Sequence, residues 1–270
     1  MATDRRSELA DFLRGRRTRA SPIANGLPAG RRRRTPGLRR EELAQLAGLS
    51  VDWYTRLEQG RDVNPSRETL QAIARVLDLD DDERGHLFYL ARPEPMHPRP
   101  DATRQEKAEP AMLHALSAMT APAFVMTPRF DVLAWNEGAC RVLIPFDAVP
   151  RERRNILWLT FHHAEMCERY VEVPVMQRDV VASFRLSASS FVGDPHFDAL
   201  ITELLETSEG FRTIWARHEV RAKTSGTKTF RTRGAPLVLQ WFSLYSPTST
   251  KQMLIYYVPR PGEEHRLAEL

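Results

Sequence analysis

The chain has 270 residues, which suggests roughly two domains of about 150 residues each. Its content of 42% hydrophobic and 27% charged residues is typical of a folded protein and argues against wholesale disorder. Two cysteines, Cys140 and Cys167, are too few for a disulfide framework, and we expect both to be free thiols.

The positive charge is distributed unevenly along the chain. The net charge is only +4, but residues 1–40 contain 12 Arg and 3 acidic residues, which gives +9. Residues 78–270 contain 23 basic and 26 acidic residues, which gives −3. This contrast favours polyanion binding by the N-terminal part, with a solvated basic surface as the alternative.

No segment indicates export or membrane insertion. The N-terminal residues lack the apolar stretch of a signal peptide. The longest uncharged apolar runs are about five residues, against the ~20 that a membrane-spanning helix needs. We therefore expect a cytoplasmic protein that does not associate with membranes.

The first 91 residues have the apolar spacing and the capping residues of five helices. The predicted helices cover residues 7–17, 38–47, 51–59, 67–77 and 80–91. Prolines are frequent between residues 92 and 110, which indicates a linker. We therefore predict an all-α domain at 1–92, a linker at 93–103 and a second domain at 104–270.

The second domain mixes helices and strands. Its predicted helices cover residues 110–119, 136–143, 154–190 with a break near Pro174, 195–207 and 208–217. Its predicted strands cover residues 123–127, 131–135, 227–232, 236–245 and 252–258, where β-branched and aromatic residues alternate. This order predicts an α+β domain with an antiparallel sheet covered by helices.

Residues 40–60 carry the strongest functional signal. Small Ala44 lets two helices approach closely, Gly48 supplies the tight turn, and Tyr54 and Leu57 are spaced to pack the second helix onto the first. The pattern predicts a helix-turn-helix whose second helix enters the major groove of DNA. It resembles the Xre/Cro family of repressor-like domains.

That resemblance implies a phosphate contact for Arg40, base-facing positions on the second motif helix, and Trp53 and Thr55 beside the backbone or groove. Arg56 can bind guanine, whereas Asp52 can either accept from cytosine or stabilise the N-terminus of its own helix. The arginine run before the motif either grips phosphates or a minor groove, or is a solvated loop. The candidate DNA-binding residues are Arg31, Arg32, Arg33, Arg34, Arg39, Arg40, Val51, Asp52, Trp53, Thr55 and Arg56.

A longer resemblance covers nearly the whole chain. It is similar to the actinobacterial MmyB-like regulators at residues 36–44, 53–62, 131–136, 154–157, 178–182, 215–220 and 225–228. The resemblance implies a PAS-like ligand-binding domain that takes a small lipophilic ligand of the fatty-acyl kind.

Large aromatic side chains in the second domain suggest where such a ligand binds, although each of them can instead be plain core. Arg178 and His218 are candidates for its polar end. Alternatively, Arg178 pairs with Asp179 or another acid and His218 is a structural histidine. The candidate ligand-binding residues are Trp135, Phe161, Arg178, Trp215, His218, Trp241 and Tyr245.

Two other clusters carry too little for a chemical prediction. His162, His163 and Cys167 lie close together, but a zinc site needs about four ligands and no second pair is present. Residues 225–228 match the S-x-x-K spacing without its companion motifs, and we interpret them as a hairpin turn. We predict no cofactor and no catalysis.

These features predict a homodimeric transcriptional regulator that reads a palindromic DNA operator and senses a small lipophilic ligand. The alternative is a DNA-tethered regulator whose C-terminal domain mediates dimerisation or recruits a protein and holds no ligand. A cavity in the second domain favours the first hypothesis, and a solid core favours the alternative.

Overall fold

The computed structural model describes residues 5–28, 36–91, 107–191, 193–221, 225–246 and 252–270. The predicted arginine run at 31–34 and the predicted linker at 93–103 lie outside these residues. Two large hydrophobic clusters form separate cores, one built mainly from residues before 91 and the other from residues after 107.

Five helices form the N-terminal domain, as the sequence predicts. They are α1 (Arg5–Arg19), α2 (Arg40–Ala47), α3 (Val51–Glu58), α4 (Arg67–Val76) and α5 (Asp81–Ala91). Phe12, Leu13, Leu43 and Tyr54 are fully buried in the core between these helices. The φ angles of Gly48 (+69°) and Gly60 (+70°) are positive, and these glycines allow the chain to turn sharply at the ends of α2 and α3.

Seven helices and five strands are described in the C-terminal domain. The helices are α6 (Pro110–Ala118), α7 (Glu137–Val142), α8 (Ile156–His162), α9 (Ala164–Glu168), α10 (Val173–Ser189), α11 (Pro195–Thr207) and α12 (Glu209–Trp215). The strands are β1 (Ala123–Met126), β2 (Val132–Trp135), β3 (Ser225–Phe230), β4 (Leu237–Tyr245) and β5 (Met253–Pro259). No helix among the described residues is long and apolar enough to cross a membrane.

The predicted helical stretch at 154–190 divides into α8, α9 and α10. Pro174 lies in the first turn of α10, where the missing N–H of proline removes no intrahelical hydrogen bond. The expected break near Pro174 is therefore the start of the longest described helix, which has 17 residues.

The five strands form one antiparallel sheet in the order β2-β1-β5-β4-β3. Alternate residues of β1 and β5 point to opposite sides of the sheet. Phe124 and Ile255 belong to the main core of the domain, whereas Val125 and Leu254 pack with α6 on the other face. The main core lies between the sheet face that carries Phe124 and Ile255 and the helices that cover this face.

The predicted hairpin turn at residues 225–228 is wrong, because these residues lie within β3. Ser225 pairs with Phe242 of β4, and Gly226 pairs with Trp241. A Cβ at Gly226 would lie 3.0 Å from Nε1 of Trp241. The glycine thus allows close packing against the indole ring.

The two domains contact each other. Val220, which follows α12, is buried in the N-terminal core, and Leu186 of α10 packs against the same core. The sequence gives no sign of this contact, since both residues resemble ordinary core residues of their own domain.

Candidate DNA-binding surface and ligand cavity

Helices α2 and α3 have the geometry of a helix-turn-helix. The backbone N–H of Gly48 bonds to the carbonyls of Ala44 and Gln45, which ends α2. The hydroxyl of Ser50 then accepts a hydrogen bond of 3.2 Å from the backbone N–H of Trp53 and caps α3. The turn and the caps therefore fix where α3 begins.

One side of α3 faces solvent. Val51, Asp52 and Arg56 are exposed and Thr55 is half-buried, and this spacing places all four on adjacent positions of one helix surface. Trp53 instead packs against the N-terminal core. Its position anchors α3 and leaves the other side chains available to base edges.

A buried carboxylate connects three helices beneath this surface. Glu58 of α3 is fully buried, and its oxygens accept hydrogen bonds from Arg17 of α1 at 2.6 and 2.8 Å. The Nε of Arg40, at the start of α2, lies 2.9 Å from the same carboxylate. Burial alone would raise the pKa of Glu58, but its bonds to Arg17 and Arg40 outweigh burial and lower the pKa.

The candidate phosphate-binding arginines therefore differ in setting. Arg40 is partly exposed while its guanidinium is held by Glu58. Arg39 is exposed, and its backbone N–H donates to Glu42 at 2.7 Å. Arg31, Arg32, Arg33 and Arg34 lie outside the described residues.

A cavity of about 360 Å³ lies between the sheet and α10 in the C-terminal domain. This volume falls within the range of about 300–1,000 Å³ that is usual for small-molecule sites. One face of α10 contributes Met176, Val180, Ser183 and Ser187. Alternate residues of β4 and β5 form the opposite wall, namely Trp241, Ser243, Tyr245, Met253, Ile255 and Tyr257.

The cavity wall is largely apolar and contains four methionines. Met126 and Met253 come from the sheet, and Met166 and Met176 come from α9 and α10. A thioether chain has three flexible torsions, so such a wall adapts to ligands of irregular shape.

Lys228 of β3 brings a cation to the cavity. Its ammonium lies 5.5 Å from the ring centres of Tyr170 and Trp241 and 5.9 Å from that of Tyr257. Burial raises the pKa of both tyrosines, so their hydroxyls stay neutral and can donate hydrogen bonds. A second charged group at the cavity is Arg221, which bonds to Asp179 of α10 at 3.2 Å.

Comparison with known families agrees with both parts of this geometry. Residues 8–87 match a helix-turn-helix domain, and residues 108–270 match the MmyB-like transcription regulator ligand binding domain. The chain belongs to the MmyB-like transcription regulators. No curated protein matches it significantly. The combination of the two domains is that of a ligand-responsive transcription regulator.

In this MmyB-like regulator, only two of the predicted ligand-binding residues, Trp241 and Tyr245, line the cavity beneath α10. Trp135 packs on Phe146 beneath Arg154, and Phe161 packs on Phe211.

The other three predicted residues also lie away from the cavity lining. Arg178 is exposed on α10, and its neighbour Asp179 pairs with Arg221. Trp215 and His218 lie at the contact between the domains. Ligand contacts by these three residues, and by Trp135 and Phe161, stay predictions that the cavity does not support.

Sequence reasoning missed the polar groups of the cavity, Lys228, Tyr170 and Tyr257. The alternation that places Trp241 and Tyr245 on one face of β4 was a usable signal, because its extension across β5 leads to Tyr257. Lys228 had no such signal, since a lone lysine in a strand is usually solvated.

Arg185 is the centre of a buried cluster at the contact between the domains, which we name the junction cluster and define as Glu8, Arg185, Trp215 and His218. The Arg185 guanidinium bonds to the Glu8 carboxylate of α1 and to the Trp215 carbonyl, and lies 3.6 Å from the centre of the Trp215 ring. The Nδ1 of His218 is 3.3 Å from the same guanidinium. Burial, together with nearby Arg185, lowers the pKa of His218 to about 4.

The cluster of His162, His163 and Cys167 is satisfied by other partners. His162 bonds to Thr207 at 2.9 Å, His163 accepts from the backbone at 3.3 Å, and the Cys167 thiol donates to a carbonyl at 3.2 Å. Among the residues that the structure describes, no group of three potential ligands has the arrangement of a metal site.

Proposed function

We propose that this chain is a cytoplasmic transcription regulator whose Xre/Cro-type N-terminal domain reads DNA and whose PAS-like C-terminal domain senses a small lipophilic ligand of the fatty-acyl kind. The observation that carries the proposal is the apolar cavity of about 360 Å³ beneath α10. Apolar recesses of this size are the usual binding sites of small molecules, which favours a ligand-binding domain over a protein-recruiting domain without a ligand.

The polar groups of the cavity favour a ligand with one anionic end. The ammonium of Lys228 can pair with a carboxylate, and the neutral hydroxyl of Tyr257, which shares a hydrogen bond with Tyr170, can donate to it. The methionine-containing wall would receive the aliphatic part. A fatty-acyl ligand has both features.

A homodimer on a palindromic operator would suit the exposed side of α3. Two helix-turn-helix units related by a two-fold axis bind half-sites about one helical turn apart. Val51, Asp52 and Arg56 would then read base edges while Arg39, Arg40 and the arginine run at 31–34 bind phosphates.

The ligand is tested with sodium laurate as the probe, by native mass spectrometry and calorimetric titration of the full chain. Ser183→Phe fills the cavity from α10 and should weaken laurate binding at least tenfold. Ser117→Phe, on an exposed turn of α6, adds the same ring outside the cavity and should leave it unchanged. Absence of laurate binding by the unmodified protein would refute the proposed ligand class.

The DNA surface is tested with the regulator's own upstream DNA. Arg56→Ala should reduce discrimination among base substitutions by about 1–3 kcal/mol, because a bidentate arginine–guanine contact is lost. Arg84→Ala, an exposed arginine of α5, is the matched control. Equal specificity for the two variants contradicts the assignment of α3 to the groove.

A further inference from the structure

We propose that α10 carries the state of the ligand cavity to the DNA-binding domain, and that Arg185 is the positioning residue that makes this connection. The inference rests on the proposed function, because it concerns how the same cavity regulates the same DNA surface. It assigns that regulation to the junction cluster.

The charge of Arg185 is neutralised across the contact between the domains. Its side chain is 1% exposed, and the carboxylate that neutralises it, Glu8, belongs to the other domain. While the domains are docked, each of these two charges depends on the other, because a buried charge that loses its partner is strongly destabilising. The stacked Trp215 ring and the Trp215 carbonyl further restrict the guanidinium to one orientation.

Contacts around the cluster hold α1 in one position against the segment after α12. Arg16 donates to the His218 carbonyl at 3.2 Å, and Arg19 donates to the carbonyl of Arg217. Val220 then enters the N-terminal core itself. The DNA-binding domain is thus attached through α1 and its core.

Helix α10 lies between the cavity and this attachment. Leu186 lines the cavity and also packs against the N-terminal core, so one side chain contacts both. Arg185 immediately precedes Leu186 in the same helix. Because packed helices are close to rigid, a ligand that displaces the cavity face of α10 must also displace Arg185 and Leu186.

Docking leaves the DNA-reading side of α3 open. Val51, Asp52 and Arg56 are exposed while the junction cluster is formed. The cluster therefore sets the orientation of α3 relative to the C-terminal domain and does not cover it. In a dimer, that orientation determines whether two recognition helices match the half-site spacing.

The first experiment measures hydrogen exchange of the full chain without ligand. Glu8→Gln should raise exchange roughly tenfold in α1 and in residues 215–221, since a charged hydrogen bond between the domains is lost. Exchange in α4 should stay unchanged, which separates undocking from unfolding of the domain.

A matched control exists within the C-terminal domain. Glu203 binds Arg153, whose guanidinium lies 4.8 Å from the Trp158 ring, so the same residue types meet away from the junction. Glu203→Gln should leave exchange in α1 unaltered. If Glu8→Gln behaves like Glu203→Gln in α1, Arg185 does not hold the domains and the inference is refuted.

The second experiment measures DNA affinity with and without saturating laurate. For the unmodified protein, the ratio of the DNA affinity with laurate to the DNA affinity without it should differ from one. Glu8→Gln should bring this ratio at least threefold closer to one while laurate still binds. If laurate binds but both proteins give the same ratio, the inference fails and the proposed function stands. If laurate does not bind, the proposed ligand class fails, and the ligand-free exchange experiment still decides the role of Arg185.

Discussion

Glu58 connects three helices beneath the candidate DNA-binding surface. It receives Arg17 from α1 and Arg40 from α2 while lying at the end of α3. Two arginines around one buried carboxylate make a network in which each charge compensates for the burial of another. Arg40 is consequently part of the fold as well as a candidate phosphate contact.

Replacing Glu58 should therefore destabilise the N-terminal domain. We expect Glu58→Gln to lower the free energy of unfolding by about 3–5 kcal/mol, because Arg17 keeps its charge in a buried site without a counterion. Urea denaturation followed by circular dichroism measures the change. Glu41→Gln, an exposed acid of α2, should cost less than about 0.5 kcal/mol. Similar losses for the two variants would rule out the network as a major source of stability.

His86 of α5 predicts a dependence of stability on pH. Its ring is buried against Phe12 at 4.9 Å, and burial, followed by Arg185, Arg16 and His218, lowers its pKa from 6.5 to about 3. The unfolded chain therefore binds a proton at a pH where the folded chain does not. The contribution of the neutral His86 ring to the free energy of unfolding is fully present above pH 6.5. This contribution is lost as the pH falls from 6.5 towards 3.

We expect the free energy of unfolding to fall by up to about 1.4 kcal/mol for each pH unit below 6.5 on account of His86. Urea titrations at pH 7 and 5.5 measure this difference, and His86→Leu should reduce it. His114→Leu, at an exposed position of α6, should not. An unchanged pH dependence in His86→Leu would show that the ring is not held neutral.

At the scale of secondary structure, the pairing of β3 with β4 determines the shape of the cavity. Gly226 has no side chain where the Trp241 indole lies, and Trp241 in turn lines the cavity. A side chain on β3 at this point would push the ring into the space beneath α10. Gly226 of the edge strand β3 therefore leaves room for the Trp241 ring that lines the cavity.

Gly226→Val should weaken laurate binding at least tenfold, since the displaced Trp241 occupies the cavity. The matched control is Gly234→Val in the β3–β4 connection, where an added Cβ has only one neighbour within 4 Å, at 3.9 Å. Titration calorimetry on both variants measures the effect. Equal laurate affinities would show that Trp241 does not respond to β3.

Most of the elements could be predicted from the sequence because their periodicity and caps are local. The helix-turn-helix follows from Gly48 and Ser50, and the strands follow from alternation in residues 237–245 and 253–259. The cavity could not be predicted in detail. Trp135 and Phe161 are large aromatic residues like Trp241, and only the packing of distant segments decides which ring lines the cavity.

At the scale of the whole molecule, composition predicts two domains but not their contact. The charge difference between the N-terminal and C-terminal parts marks the division. Val220 crosses that division and is 4% exposed within the N-terminal core. A contact between residues so distant in sequence leaves no periodic signal, so only the structure shows that the domains support each other.

Val220→Ala changes a residue of the C-terminal domain but should destabilise the N-terminal domain. Loss of two buried methyl groups is worth about 1.6 kcal/mol at 0.8 kcal/mol per carbon. Differential scanning calorimetry of the full chain should show a lower Tm for the N-terminal transition. Val238→Ala, at a half-buried position of β4, is the control and should spare that transition. If Val220→Ala also spares it, the domains unfold independently.

The stacking of Arg185 on Trp215 has a practical consequence for spectroscopy. The five tryptophans occupy separate environments, with Trp53 in α3, Trp215 in the junction cluster and Trp241 on the cavity wall. A chain labelled with 5-fluorotryptophan would give one fluorine resonance for each of them. A single one-dimensional NMR spectrum could then follow DNA binding through Trp53, the domain contact through Trp215 and ligand binding through Trp241. Trp135 and Trp158 would be internal references.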